Sequence, residues 1–297
     1  MINYKIMKVK ITLLGALALM ITAVGCKKKE IIKVEEKIVY VDNTPANPET
    51  GTVELIFEPT LDGTPYFLNS NFTTPAGEDF KVTDFKFYVT NIGLATEDSK
   101  EKKAIAFPGD QEQIGVYLSN FTVPNYDNGH GLNSYKIRFK GVVGEYSDIR
   151  FKMEVPSDYN LASMTTNPYP LNASNGMYWS WNSGYKFLVV NGTSTSLTGF
   201  NGVHLSIGAD KSCSFNFRSL ILAPSLPKIK VEKDKVTQIK FTYNLMAMLR
   251  NTDGTNYSFI STNPNISYSQ VHGGSTANII RGNIQQALEL NSFTNPQ

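Results

Sequence analysis

Three kinds of side chain here suit a soft metal ion, and a fourth, tryptophan, is oxidisable. The chain carries three histidines (His130, His204 and His272), two cysteines (Cys26 and Cys213), two tryptophans (Trp179 and Trp181) and eight methionines. Neutral imidazole, thiolate and thioether are the donors that favour Cu(I). Between Gly176 and Cys213 the sequence gathers Met177, both tryptophans, His204 and the only cysteine outside the N-terminal region. His204, Cys213, Met177 and either His130 or His272 are therefore candidate ligands, provided that the fold brings them together.

Each of these residues also has an ordinary structural role open to it. His130 sits in the turn-forming run Asp127-Asn128-Gly129-His130-Gly131, and His272 precedes Gly273-Gly274. His204 alternates with Val203 and Leu205, as a strand residue would. A lone cysteine such as Cys213 commonly behaves as a small buried hydrophobe. Trp179 and Trp181 are two residues apart and share one face of a strand, where packing alone can bury about 150–250 Å² of each. No closely spaced ligand motif selects between metal binding and packing.

Catalytic chemistry has less support. The sequence contains no Gly-x-Ser-x-Gly elbow, His-Glu-x-x-His pair, phosphate loop or dinucleotide fingerprint. No nucleophile–base pair can be named, and the expectation is a binding protein, not an enzyme.

The N-terminus reads as an export signal. Lys5, Lys8 and Lys10 precede an apolar run from Ile11 to Val24. That run is shorter than the ~20 residues needed to span a membrane and matches a secretory core segment. It ends Ala23-Val24-Gly25-Cys26, small residues directly before a cysteine, as in bacterial lipoprotein signals. The expectation is cleavage after residue 25, acylation of Cys26 and a lipid anchor in the outer membrane, with the domain facing the periplasm. Removing the three leader lysines from 28 basic residues leaves 25 against 26 acids. The mature chain is near neutrality, which excludes a nucleic-acid footprint. With Cys26 acylated, Cys213 has no intrachain disulfide partner, so stability must come from a core. Residues 26–51 are charged and then Asn- and Pro-rich, as in a flexible tether.

Residues 52–292 read as one all-β domain, an antiparallel, jelly-roll-like β-sandwich with a short C-terminal helix. Val53, Leu55 and Phe57 alternate with Glu54 and Glu58. Phe80 to Leu94 predicts a long strand, and Ile114–Leu118, Tyr135–Phe139 and Ile149–Val155 predict shorter ones. Strand patterns resume at Tyr185–Val190, Val203–Ile207, Ser214–Phe217, Ile229–Glu232 and Thr237–Leu245. Asp62-Gly63-Thr64-Pro65 is turn chemistry, and Pro156 to Asn175 predicts a long irregular loop. Ile280, Ile284, Ala287 and Leu288 fall at helical spacing and predict a helix over Asn278 to Leu290.

The block Gly176-Met177-Tyr178-Trp179-Ser180-Trp181-Asn182-Ser183-Gly184-Tyr185-Lys186-Phe187, followed by His204, resembles the central motif of the MbnP family. These are copper-binding proteins associated with methanobactin operons and widespread as lipoproteins in Bacteroidetes. Val53–Phe57 with Val82–Ile92 resembles the family's N-terminal strands, and Ile149–Pro156 with Asn160 its middle block. The resemblance covers roughly Thr52 to Leu290. It implies a periplasmic, β-rich, non-enzymatic copper binder. It further implies a metal held by histidines and, in some members, by kynurenine that a di-haem cytochrome c peroxidase-like partner makes from a tryptophan. On this basis Trp179 or Trp181 is the residue to be modified and His204 a ligand. Two positions depart from the pattern: Glu154 replaces an expected glycine, and Ser206 supplies no second imidazole beside His204. The competing expectation is a surface interaction or glycan-binding module, with exposed Tyr178, Trp179 and Trp181 stacking on its ligand.

Overall fold

The computed structural model describes residues 47–74, 77–98, 100–105, 114–122, 134–160, 167–179, 184–194, 202–208, 216–218, 227–248, 269–271, 283 and 286–296. For 202–208, 216–218 and 269–271 the description is of the backbone. All belong to the compact unit Pro45–Gln297. The strands are β1 (Thr50–Leu61), β2 (Thr64–Pro65), β3 (Asn71–Thr73), β4 (Asp79–Ala95), β5 (Glu101–Lys103), β6 (Val116–Asn120), β7 (Tyr135–Val142) and β8 (Gly144–Tyr146). They continue with β9 (Asp148–Lys152), β10 (Lys186–Thr193), β11 (Gly202–Gly208), β12 (Asn216–Arg218), β13 (Ile229–Val231), β14 (Val236–Asn244), β15 (Ser269–Val271) and β16 (Leu288–Thr294).

Two sheets carry the domain, which is the expected all-β sandwich. The first runs β16-β14-β1-β2, with β7 also paired to β1. The second runs β12-β9-β4-β10-β11-β15, with β3, β5 and β6 attached to β4, and β13 pairs β8 separately. The pairing is antiparallel except at β1·β14 and β11·β15, which run parallel. β1 and β14 are far apart in sequence, so no tight hairpin dictates their direction.

Period-two alternation explains how the sheets meet. Val53, Leu55 and Phe57 have no exposed surface, and neither do Phe85, Phe87 and Val89 of β4. Phe57 packs edge-on against Phe87 at 5.3 Å and Phe151 at 5.9 Å, and stacks on Phe241 at 5.5 Å. Tyr243 closes the layer against Phe85 at 5.0 Å. These rings come from β1 and β14 on one side and from β4 and β9 on the other. The aromatic layer is thus the seam of the sandwich.

The opposite face of the first sheet is polar. Glu54 lies in register with Arg138 and Gln238 on its two neighbouring strands. Its carboxylate is 3.3 Å from both Lys136 Nζ and Arg138 Nε, and it accepts from Gln238 Nε2 at 2.9 Å. These side chains bury Glu54 while satisfying it. The predicted turn is present: Asp62 and Gly63 take φ of 45° and 86°, the left-handed pair that joins β1 tightly to β2.

The C-terminal segment departs from its pattern. Residues 283, 286 and 287 are helical, but the predicted helix does not reach Leu290. β16 begins at Leu288 and pairs Leu288, Glu289 and Leu290 with Tyr243, Thr242 and Phe241. Backbone groups along the outer edge of β14 need partners, and that demand outweighs apolar spacing that suits either structure.

Core substitutions separate the forces at the seam. Phe57→Ala removes a ring from the inter-sheet layer and is expected to cost about 3–5 kcal/mol in urea unfolding. Ser119 faces the same layer in register with Phe87, and its buried hydroxyl has no hydrogen-bond partner among the described residues. Ser119→Ala is therefore expected to be neutral or to stabilise by up to about 1 kcal/mol in the same measurement.

Candidate functional site

While Phe85, Phe87 and Val89 of β4 face the seam, Asp84, Lys86 and Tyr88 alternate to the other face of the second sheet. The conspicuous block of the sequence is built on that face. Met177–Trp179 returns antiparallel along 184–186: Tyr178 bridges Tyr185, Trp179 N donates to Gly184 O at 3.2 Å, and Lys186 N donates to Met177 O at 2.7 Å. Residues 180–183, with Trp181, lie outside the described residues.

A buried polar network holds this hairpin. After Pro156 the chain makes one helical turn, Ser157–Asn160, which delivers buried Asn160 beneath the hairpin. Asn160 Oδ1 accepts from Tyr185 N at 2.7 Å. Gly184 takes φ of 125°, and a Cβ there would lie 3.0 Å from Asn160 Oδ1. Both the conformation and the close approach call for glycine. The Tyr185 hydroxyl donates to Leu171 O and accepts from Asn167 Nδ2 at 2.9 Å. Tyr88 donates its hydroxyl to Pro170 O at 3.2 Å, and its ring meets Tyr185 edge-on at 6.1 Å. Tyr178 contacts Tyr185 edge-on at 5.1 Å. Lys186 Nζ closes the far side on Gly176 O at 2.9 Å. The predicted loop from Pro156 to Asn175 is thus a fastened layer wherever it is described.

Burial tunes the ionisable groups. It pushes the Tyr88 phenol far up, with Tyr185 and Tyr169 adding to the effect. Burial also raises Tyr185, against the hydrogen bond from Asn167, which stabilises the phenolate. Lys186 is pulled down, first by burial and then by the positive charge of Lys86, while Asp84 opposes the shift.

Met177 and Trp179 are brought together in this layer, 1% and 6% exposed. The low exposure of Trp179 overturns the expectation of an exposed stacking surface there; the ring is enclosed. His204 lies on β11, opposite Asn191 of β10. Five residues of strand separate Lys186, which binds the Met177 carbonyl, from Asn191, a span of about 16 Å. His130, His272, Cys213, Trp181 and Cys26 lie outside the described residues. Among the described residues no three of His, Cys, Asp and Glu gather as a metal set. The Met177 end therefore offers one soft donor. The position-204 end fits a histidine-held ion better, because a carboxylate and a carboxamide, Asp84 and Asn191, stand in register beside it.

Asn167, Tyr88, Asp84 and Asn191 carry no motif of their own. Asp84, Tyr88 and Asn160 do fall inside the family-like blocks quoted above, which was their one signal.

The buried phenols make the fold sensitive to alkali. Burial holds Tyr146 up to about 12, and Tyr88 and Tyr185 shift in the same direction. A folded-state pKa above the unfolded value of about 10 stabilises the protein fully below that pH. The contribution is lost as pH rises through the folded value. Stability in urea is expected to fall between about pH 10 and 12. Tyr185→Phe is expected to cost about 1–3 kcal/mol at neutral pH and to make the alkaline fall shallower.

A family model matches most of the chain. Residues 50–268 match the family model MbnP, a span that includes His130, Met177, Trp179, Trp181, His204 and Cys213 and stops short of His272. One solved structure, MbnP from Methylosinus trichosporium, is similar at 13% identity and a TM-score of 0.48, covering 76% of this chain and 82% of that one. No curated protein matches. With most of its length inside the family model, the chain belongs to the MbnP family.

Proposed function

We propose that this protein is a non-enzymatic, periplasm-facing lipoprotein that binds copper and serves its handling, tethered to the outer membrane through acylated Cys26. The match to the MbnP family over 50–268 carries this reading, because the span contains the Trp-x-Trp block and His204 together. Copper as Cu(I) would be held through imidazole and softer donors. His204 is the first candidate, with His130, His272 and Cys213 as possible companions. Met177, buried in the hairpin layer, is a further candidate.

Oxidation of a tryptophan to kynurenine by a di-haem cytochrome c peroxidase-like partner belongs to the same proposal. Of the two candidates, Trp179 is enclosed and lies at the hairpin end of β10, beyond Lys186 and away from position 204. The competing glycan-stacking reading loses its central ring for the same reason, since buried Trp179 has no open face for a sugar.

Protein expressed with and without copper is expected to differ by stoichiometric bound metal in elemental analysis, and His204→Gln to lose that uptake. Co-expression with a di-haem peroxidase is expected to change the intact mass by the tryptophan-to-kynurenine difference. Absence of both changes overturns the copper reading. Tryptophan fluorescence that responds to oligosaccharides and not to Cu(I) would establish the competing one.

A further inference from the structure

The outward positions of the first sheet form rows that start where the chain enters the domain. Thr52 of β1 lies in register with Val236 of β14 and Lys140 of β7, and Lys140 bridges Ile105. The next row is Gln238, Glu54 and Arg138, and the one after it Lys240, Ile56 and Lys136. Residues in register share one face of a sheet, here the face turned away from the aromatic seam. The row nearest the N-terminal end of β1 therefore carries a cation, Lys140, and two exposed apolar side chains, Val236 and Ile105.

Charge on this face is layered by depth. Its three rows hold four cations, Lys136, Arg138, Lys140 and Lys240, and one carboxylate, Glu54. Glu58, one row further, pairs with Lys240 at 2.9 Å. The Glu54 side chain is 8% exposed, whereas that of Arg138, 3.3 Å from it, is 54% exposed. The carboxylate is sunk between the strands and the guanidinium stands outside it. Such a face presents positive charge and some apolar surface together. Cations of this kind are drawn to anionic headgroups, and the apolar side chains can enter the boundary between headgroups and acyl chains.

We propose that this face docks on anionic phospholipid headgroups, so that the domain lies against the bilayer on its first sheet. The proposal rests on the lipoprotein reading and is independent of copper. Cys26 and Thr50 are 24 residues apart (50 − 26), and β1 is the strand that this length of chain enters. Even at full extension it spans about 85 Å. A domain held that close meets the bilayer at a high effective concentration, so a face of weak intrinsic affinity is sufficient.

The test is lysine footprinting of the mature protein, purified from membranes and placed in vesicles of phosphatidylethanolamine with phosphatidylglycerol. Acetylation, mapped by peptide mass spectrometry, is expected to fall several-fold at Lys140 and Lys240 relative to the protein in neutral detergent micelles. Labelling of Lys81 and Lys152, on the second sheet, is expected to stay unchanged. The protection is expected to disappear at ~1 M salt, where the screening length is about 3 Å. Arg138→Gln with Lys240→Gln, or Val236→Ser with Ile105→Ser, is expected to restore labelling of Lys140, and Lys81→Gln is not. Equal labelling of Lys140 and Lys240 in vesicles and micelles overturns the proposal. Protection that is the same on phosphatidylcholine vesicles, or that survives both paired substitutions, does so as well. Intact mass reads the acyl group on Cys26 separately. An acylated protein with unprotected lysines overturns the docking alone, and an unacylated one overturns the anchor and the docking with it.

Discussion

Residues 84–89 of β4 alternate with a period of two, and both layers of the domain are built on that alternation. One face gives Phe85, Phe87 and Val89 to an aromatic seam shared with Phe57, Phe241 and Tyr243 of the first sheet. The other gives Asp84, Lys86 and Tyr88 to the surface where the candidate site is assembled. A slip of one residue in this strand would exchange the two faces, placing a carboxylate and an ammonium in the seam and phenylalanines at the site. The register is therefore fixed by burial on one side and used for polar chemistry on the other.

The two layers differ in what stabilises them. The seam is apolar and its energy follows area and ring geometry. The hairpin layer depends instead on satisfied polar groups: Asn160 on the Tyr185 amide, Asn167 and Leu171 O on the Tyr185 hydroxyl, and Pro170 O on Tyr88. Such a network is costly if half made, so it tends to hold one arrangement. The Trp-x-Trp block is in this sense a fastening where it is described: Trp179 and Met177 are enclosed within it. The span that matches the MbnP family contains both ends of β10.

Much of the strand plan was legible because alternation is a local property. β1, β4, β7, β10 and β14 each declare themselves through apolar residues two apart. The short strands β2, β3, β5 and β8 did not, because two or three residues cannot establish a period. β16 was hidden for another reason: Ala287, Leu288 and their neighbours suit a helix locally, and only the unpaired edge of β14 makes the chain turn to strand at Leu288. At the site, the rare residue types pointed to the Gly176–Cys213 stretch. Asn160 and Asn167 could not be singled out by type, since an asparagine that caps a buried amide looks like any loop asparagine until its partner is known.

By itself, then, the sequence determined the β-rich class and the family-like block, because these depend on composition and short-range order. Tertiary structure alone decided which of those residues meet. It enclosed Met177 and Trp179 against 184–186, and set position 204 some five strand residues away, in line with Asn191 and Asp84. The reason is geometric: a strand advances about 3.3 Å per residue, and proximity across a sheet is set by the register of distant segments. No local pattern in the chain encodes that register.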